Sequence, residues 1–275
     1  MIIELFGPPG AGKTTFARAL TARLREGGHF AELRLSDRPS ERLPVLDPYA
    51  TAAGRYLAKR HQNVVIHRLS RPFSEMLTIV RHPFANSRDV KTAVHLVKLL
   101  PPTSIFRSIK NAQYISRLSH SWYEKSRAAH IVLFDQGFVQ AVCSLALLAG
   151  AASDASIADA LDYAPISDLS IRMEVPLELL GTRLHDRRRL QSSIEQLFEP
   201  DLKTSLASIS MIDRLHALLL QRGRSVLSAT SLDQGSLGES VNRIEKEVVR
   251  KLQNRIQRSS AITTGRAAVS HQGRD

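Results

Sequence analysis

A chain of 275 residues, 43% of them hydrophobic, can bury one large core or two small ones and is too apolar for a disordered chain. With 5% aromatics it lacks the rows of stacking side chains expected of a single-strand nucleic-acid binder, and its single cysteine, Cys143, excludes an internal disulfide or a cysteine-rich metal framework. The net charge of +12 fits a phosphate-rich small ligand as well as a nucleic-acid surface, and part of it falls in residues 250–275, which hold six Lys or Arg against one Asp.

In chain order, Ile2–Phe6 is a short apolar run that predicts a buried parallel strand. Phe16, Leu20 and Leu24 fall four apart and predict a helix over 13–26, stopped by Gly27-Gly28. HFAELRL at 29–35 predicts a second strand, and the stretch after it is a proline-punctuated loop. Residues 47–128 read as mainly helical and unusually basic, with breaks at Pro83 and Pro101-Pro102.

HIVLFDQG at 130–137 predicts a third strand ending on an acid, followed by a helix to about 149. The apolar stretch 138–152 contains Gln140 and Ser144 and is short for a bilayer, so it predicts a buried helix and no membrane span. SDASIADALDY at 153–163 opens with good N-cap chemistry, and DLSIRMEV at 168–175 reads as a strand. Pro176 suits the first turn of a helix through 176–190. Residues 201–222 form another amphipathic helix, and RSVLSAT at 224–230 a last strand.

The closing helix carries Ser236 and Glu239 in a capping pattern, with Leu237, Val241, Ile244, Val248, Leu252 and Ile256 at helical spacing behind them. Residues 258–275 lack useful periodicity and are expected to be a disordered basic tail. The start of the chain lacks a basic segment followed by a long apolar block, so no secretory signal is expected and a reducing cytoplasm is the expected setting. No repeat or linker divides the chain. Strands alternating with helices imply a mainly parallel sheet covered on both faces, with ligands beyond the carboxyl ends of the strands.

Two motifs fall there. Gly7-Pro8-Pro9-Gly10-Ala11-Gly12-Lys13-Thr14 matches G-x-x-x-x-G-K-[ST] between a predicted strand and a predicted helix, with Thr15 continuing the turn. Glycines let successive N–H groups converge on phosphate oxygens, and the helix N-terminus adds partial positive charge. Lys13 can reach the β- and γ-phosphates, and the Thr14 hydroxyl can ligate Mg²⁺. The second motif is Asp135, where the third strand ends. It can serve the metal side of the phosphate site or act as N-cap of the next helix, and both readings stay open. Glu174 is the second choice for the metal side.

Arg183, Arg187, Arg188 and Arg189 cluster beside His185 and Asp186, with Arg183 and Arg187 on one helical face. Planar guanidinium groups stabilise charge on a phosphoryl group in transfer, often from a flap that excludes water, and a solvated charge run is the alternative.

GPPGAGKTT, LFDQG, MEVPLELLGTRLHDRR and the closing SVLSATSLDQGSLGESVNRIEKEV together resemble the nucleotide-kinase group of P-loop kinases, thymidylate and adenylate kinases among them. The resemblance covers the outer thirds of the chain. It implies a P-loop NTPase fold: a three-layer α/β/α arrangement with a five-stranded parallel sheet and, here, an enlarged helical insertion. It implies ATP and Mg²⁺ at the carboxyl edge of the sheet, with Gly12, Lys13 and Thr14 on phosphates and metal. Asp135 would assist metal or acceptor, Arg183 and Arg187 would belong to the lid, and Thr230 and Ser231 would lie near the base.

The expected organisation is a kinase-like domain over 1–257, with 47–128 as an acceptor-side insertion and 183–200 as the lid. Thymidylate kinases usually carry an acidic residue where this chain has Pro8-Pro9, and Arg where it has Gln136, so thymidylate is not the expected acceptor. The basic middle segment favours another small anionic acceptor, with Arg55, Arg68 and Arg71 as candidates. Nucleic acid is not an expected partner, and a homodimer stays open. The competing readings are a P-loop ATPase of the motor type and a nucleotide-dependent regulatory protein without a small acceptor.

Overall fold

The computed structural model describes residues 1–36, 87–182 and 202–271. Five parallel strands form one sheet in the order β2-β3-β1-β4-β5: β1 Ile2–Phe6, β2 Ala31–Arg34, β3 Ile131–Phe134, β4 Leu169–Glu174 and β5 Val226–Thr230. β1 lies at the centre, with Ile3 beside Leu133 on one edge and beside Leu169 on the other. The chain leaves β1 toward β2 on one side and, after β3, crosses to β4 on the other. The direction of winding therefore reverses beside β1, where sheets of this kind open a crevice at the strands' carboxyl ends.

Strand side chains alternate between two separate cores. Ile3, Leu5, Ile131, Leu133, Leu169 and Ile171 face α1 (Lys13–Glu26) and the closing helix, α7 (Gln234–His271), which supply Phe16, Leu20, Leu24, Val241, Ile244 and Val248. Ile2, Phe6, Val132 and Phe134 face the other layer. That layer comprises α2 (Ser87–Leu99), α3 (Ile105–Lys125), α4 (Phe138–Ala149), α5 (Asp154–Tyr163) and α6 (Leu202–Gln221). Both faces are therefore covered, which is why β3 reads as an unbroken apolar run and β1 as one interrupted only by Glu4. Each fully buried Leu or Phe of these cores contributes about 1.5–3 kcal/mol.

The strands and helices fall within a few residues of their sequence positions. α4 is buried along most of its length and stops at Gly150, as a core helix should. α2 and α3 break at Pro101-Pro102, and a buried Asp89 ties them by accepting from Ser119 Oγ at 3.0 Å. Trp122 of α3 stacks on Phe134 at 4.9 Å and meets the edge of Phe138 at 5.1 Å, locking the helix onto the end of β3. The part of the insertion at 47–86 lies outside the described residues. No helix among the described residues is long and apolar enough to cross a membrane.

Two expectations are corrected. The start of α7 is capped by Asp233, not Ser236: Ser236 N donates to Asp233 Oδ1 at 2.7 Å, and Asp233 N donates to Ser236 Oγ at 3.1 Å. Ser236 thus takes the reciprocal position, third residue of the helix, that Glu239 was expected to hold. The short path from Thr230 to the helix selects this earlier register. The same helix then continues to His271, through residues expected to be a disordered tail. Once a helix is nucleated by packing, each further residue adds a hydrogen bond at little cost, so periodicity is not needed to extend it.

Candidate nucleotide site

The loop from Gly7 to Gly12 leaves β1 and opens α1. Gly10 and Gly12 both have positive φ, 82° and 83°, a region where a side chain would strain the backbone. At Gly12 the space is also tight, since a Cβ would stand 3.1 Å from Ser231 Oγ. The turn is closed internally by Ala11 N donating to Pro8 O at 3.2 Å. The N-cap residue of α1, Gly12, has no side chain with which to cap it, and no acidic residue stands in the first turn. Its first N–H groups, from Lys13, Thr14 and Thr15 onward, are therefore oriented as an anion site. The Lys13 ammonium folds over the loop, donating to Gly7 O at 2.7 Å and Pro8 O at 2.9 Å.

Asp135 arrives from β3. It is 2% exposed, and both carboxylate oxygens are engaged: Thr14 Oγ1 donates to Oδ2 at 2.8 Å, and Ser36 N donates to Oδ1 at 2.8 Å. A carboxylate at this depth is tolerated only when so satisfied. The N-cap of α4 is Gly137, so Asp135 is not the cap of the following helix. Thr14 and Asp135 offer hard oxygen atoms from two elements, the donor set that Mg²⁺ takes while retaining waters and phosphate oxygens. Among the described residues no cluster of three or more His, Cys, Asp or Glu could hold a metal, and a site of this type requires none.

The other candidates divide. Ser231, buried at 8% exposure, lies against Gly12, whereas the Thr230 hydroxyl is paired with Ser240 Oγ at 3.2 Å on α7. Glu174 accepts from Ser228 Oγ at 2.6 Å on the neighbouring β5 and belongs to a different cluster from Asp135. After β4 the chain passes Pro176 into a helical turn at 177–182, with Leu180 N donating to Pro176 O. Arg183 and Arg187, with Arg188 and Arg189, lie outside the described residues, as do Arg55, Arg68 and Arg71.

Three contributors were not picked out from the sequence. Ser36 N acts through its backbone, which leaves no side-chain signature. Gln140 accepts from Gly7 N at 3.0 Å, but a lone Gln in an apolar helix reads as ordinary. Glu4 did leave a signal, a carboxylate within the apolar run IIELF, and it is buried at 2% exposure.

No family model matches this chain, and no curated protein does. Among solved structures, the chain is similar to deoxyadenosine kinase from M. mycoides with products dCMP and a flexible dCDP bound. That likeness has 11% identity and a TM-score of 0.42, covering 91% of this chain and 100% of the other. The same enzyme with bound dATP matches at 14% identity and a TM-score of 0.44, covering 90% and 99%.

Proposed function

We propose that this protein transfers a phosphoryl group from ATP to a small anionic acceptor, a nucleotide or another phosphorylated metabolite, in the manner of thymidylate-kinase-like enzymes. The observation that carries this reading is the 2.8 Å hydrogen bond from Thr14 to Asp135, which joins the phosphate-type loop to an acidic strand end. The polyphosphate would lie along the loop of Gly7, Pro8, Pro9, Gly10, Ala11 and Gly12, against the start of α1. Thr14 and Asp135 would hold Mg²⁺, which when bound neutralises charge on the β- and γ-phosphate oxygens.

Lys13 would be the cation that follows the phosphate. Its ammonium now satisfies two loop carbonyls and would exchange them for phosphate oxygens, stabilising charge that develops in transfer. Arg183 and Arg187, in a lid over 183–200, would close on the transferring group and exclude water. Thr230 and Ser231 would border the base. The insertion over 47–128 would form the acceptor side, and 1–257 the working domain. A cytoplasmic setting belongs to the same proposal, supported by the single buried thiol of Cys143.

The test is a screen for ADP formation with nucleosides, nucleoside monophosphates and sugar phosphates as acceptors. Lys13→Ala is expected to lower turnover at least about a thousand-fold while the fold persists, because Lys13 supports transition-state charge rather than a core. Undiminished transfer by that variant would reject the mechanism. ADP release that needs no acceptor would make the protein an ATPase, and tight ATP binding with no turnover would make it regulatory.

A further inference from the structure

Glu4 occupies a position in β1 where an apolar side chain is the rule, on the face shared with Ile2 and Phe6. Burial pushes its carboxyl pKa above the ordinary value, opposed by N–H groups of Val139 and Phe138 and by the hydroxyls of Ser167 and Ser170. Its Oε2 accepts from Val139 N at 3.0 Å, and its Oε1 from Ser170 Oγ at 3.3 Å. Val139 lies in the first turn of α4, a helix start that no side chain of its own caps. Glu4 therefore does from β1 what an N-cap side chain would do locally.

The approach requires glycine at 137. Its backbone angles suit any residue, but a Cβ there would lie 2.6 Å from Glu4 Cβ. One residue beyond Val139, Gln140 turns back to β1, where its Oε1 accepts the Gly7 N–H at 3.0 Å. The first turn of α4 is thus held at two points, one on β1 and one at the first residue of the phosphate-type loop that follows it. Asp135 stands just ahead of this turn and bonds Thr14 at the far end of the same loop. The links close a circuit from β1 through the loop to Asp135, into α4, and back to β1.

We propose that Glu4 and Gln140 are positioning residues of the nucleotide site, holding the loop and the Asp135 turn in register through the first turn of α4. The proposal rests on the phosphoryl-transfer reading above for its consequence, though not for its geometry. Neither side chain needs to touch nucleotide. Gln140 keeps the buried Gly7 N–H satisfied, and without it the start of the loop loses its tie to the helix that follows Asp135. Small displacements of aligned groups are costly to binding and transfer.

The experiment compares wild type with Gln140→Met, Glu4→Gln and Glu4→Leu. Affinity for ATP·Mg²⁺ is measured by calorimetry, thermal midpoint by calorimetric scan, and hydrogen exchange at the Gly7 amide by NMR. Gln140→Met is expected to weaken affinity about ten-fold and to speed Gly7 exchange. Its midpoint should move by under about 3 °C, since Gln140 is only partly buried and is not one of the core residues of α4. Glu4→Gln retains an acceptor for Val139 N–H and should keep affinity within about two-fold, whereas Glu4→Leu should weaken it.

If Glu4→Leu fails to fold, Gln140→Met decides. Wild-type affinity and unchanged Gly7 exchange in Gln140→Met would overturn the proposal. A lowered midpoint with unchanged affinity would also overturn it, reducing both residues to structural roles. Wild-type protein that binds no ATP·Mg²⁺ would overturn the phosphoryl-transfer reading instead, and faster Gly7 exchange in Gln140→Met would still establish the tie between α4 and the loop.

Discussion

Thr14 Oγ1 donates to Asp135 Oδ2 over 2.8 Å, joining residues 121 positions apart in the chain. The contact exists because β1 and β3 are sheet neighbours, with Glu4 beside Phe134, so the loop after one meets the acid after the other. Asp135 also anchors Ser36 N, so it holds the carboxyl end of β2 as well.

Removing that carboxylate should therefore damage both stability and metal use. Asp135→Ala leaves the Ser36 N–H and the Thr14 hydroxyl without their acceptor and should cost about 1–3 kcal/mol in denaturant unfolding. Asp135→Asn keeps an acceptor oxygen and should lose less. Both variants should need more Mg²⁺ for half-maximal turnover, and a magnesium titration identical to wild type would refute the metal-side role.

Gly12 and Gly28 form a matched pair for separating backbone strain from site geometry. Both have positive φ, 83° and 80°, but only Gly12 faces a neighbour, Ser231, and Gly28 has open space around it. Each Ala substitution should cost about 1–2 kcal/mol in unfolding free energy. Gly12→Ala should in addition weaken ATP binding more than about ten-fold, whereas Gly28→Ala should leave binding unchanged. Equal affinities for the two variants would remove Gly12 from the site.

Stability should depend on His216. Arg172 Nη1 can only donate, so His216 Nδ1 accepts it at 2.7 Å in the neutral ring. Burial and the adjacent Arg172 charge lower the His216 pKa below its ordinary 6.5, with Glu174 and Asp213 opposing. The folded state then binds the proton less readily than the unfolded chain. Its contribution is present above pH 6.5 and is lost as pH falls through the depressed folded value. Thermal midpoints measured between about pH 5 and 8 should fall on the acid side, and His216→Gln should flatten that slope.

Cys143 should be inert in the native protein. Burial pushes its thiol up to about 12, against the opposing charge of Lys13. Alkylating reagent at about pH 8 should label the thiol only after denaturation. Rapid labelling of folded protein would show that α4 opens readily.

The order of strands and helices was legible because each element announces itself within its own stretch. Apart from Glu4, IIELF is apolar; Phe16, Leu20 and Leu24 repeat along one helical face, and a glycine-rich turn lies between them. At the start of α7 the same local reading misjudged the register, because two capping patterns overlap there. Ser236 with Glu239 matches the capping box, but Asp233 three residues earlier is an equally good N-cap residue, and it is the one that caps the helix. At Asp135 the sequence placed an acid at a strand end and, beside the phosphate-type loop, favoured the metal side while leaving the helix cap as an alternative. Gly137 taking the N-cap, together with the arrival of Thr14, removed that alternative.

Fold class, the phosphate-type loop and the strand-end acid follow from short-range pattern, since periodicity, turn chemistry and helix polarity act over a few residues. The partners of Asp135, Glu4 and Gln140 do not, because hydrogen bonds between distant segments depend on which strands become neighbours. That choice is made by burying two apolar faces at once, and only the assembled sheet brings residues 4, 7, 14, 135 and 140 within reach of one another.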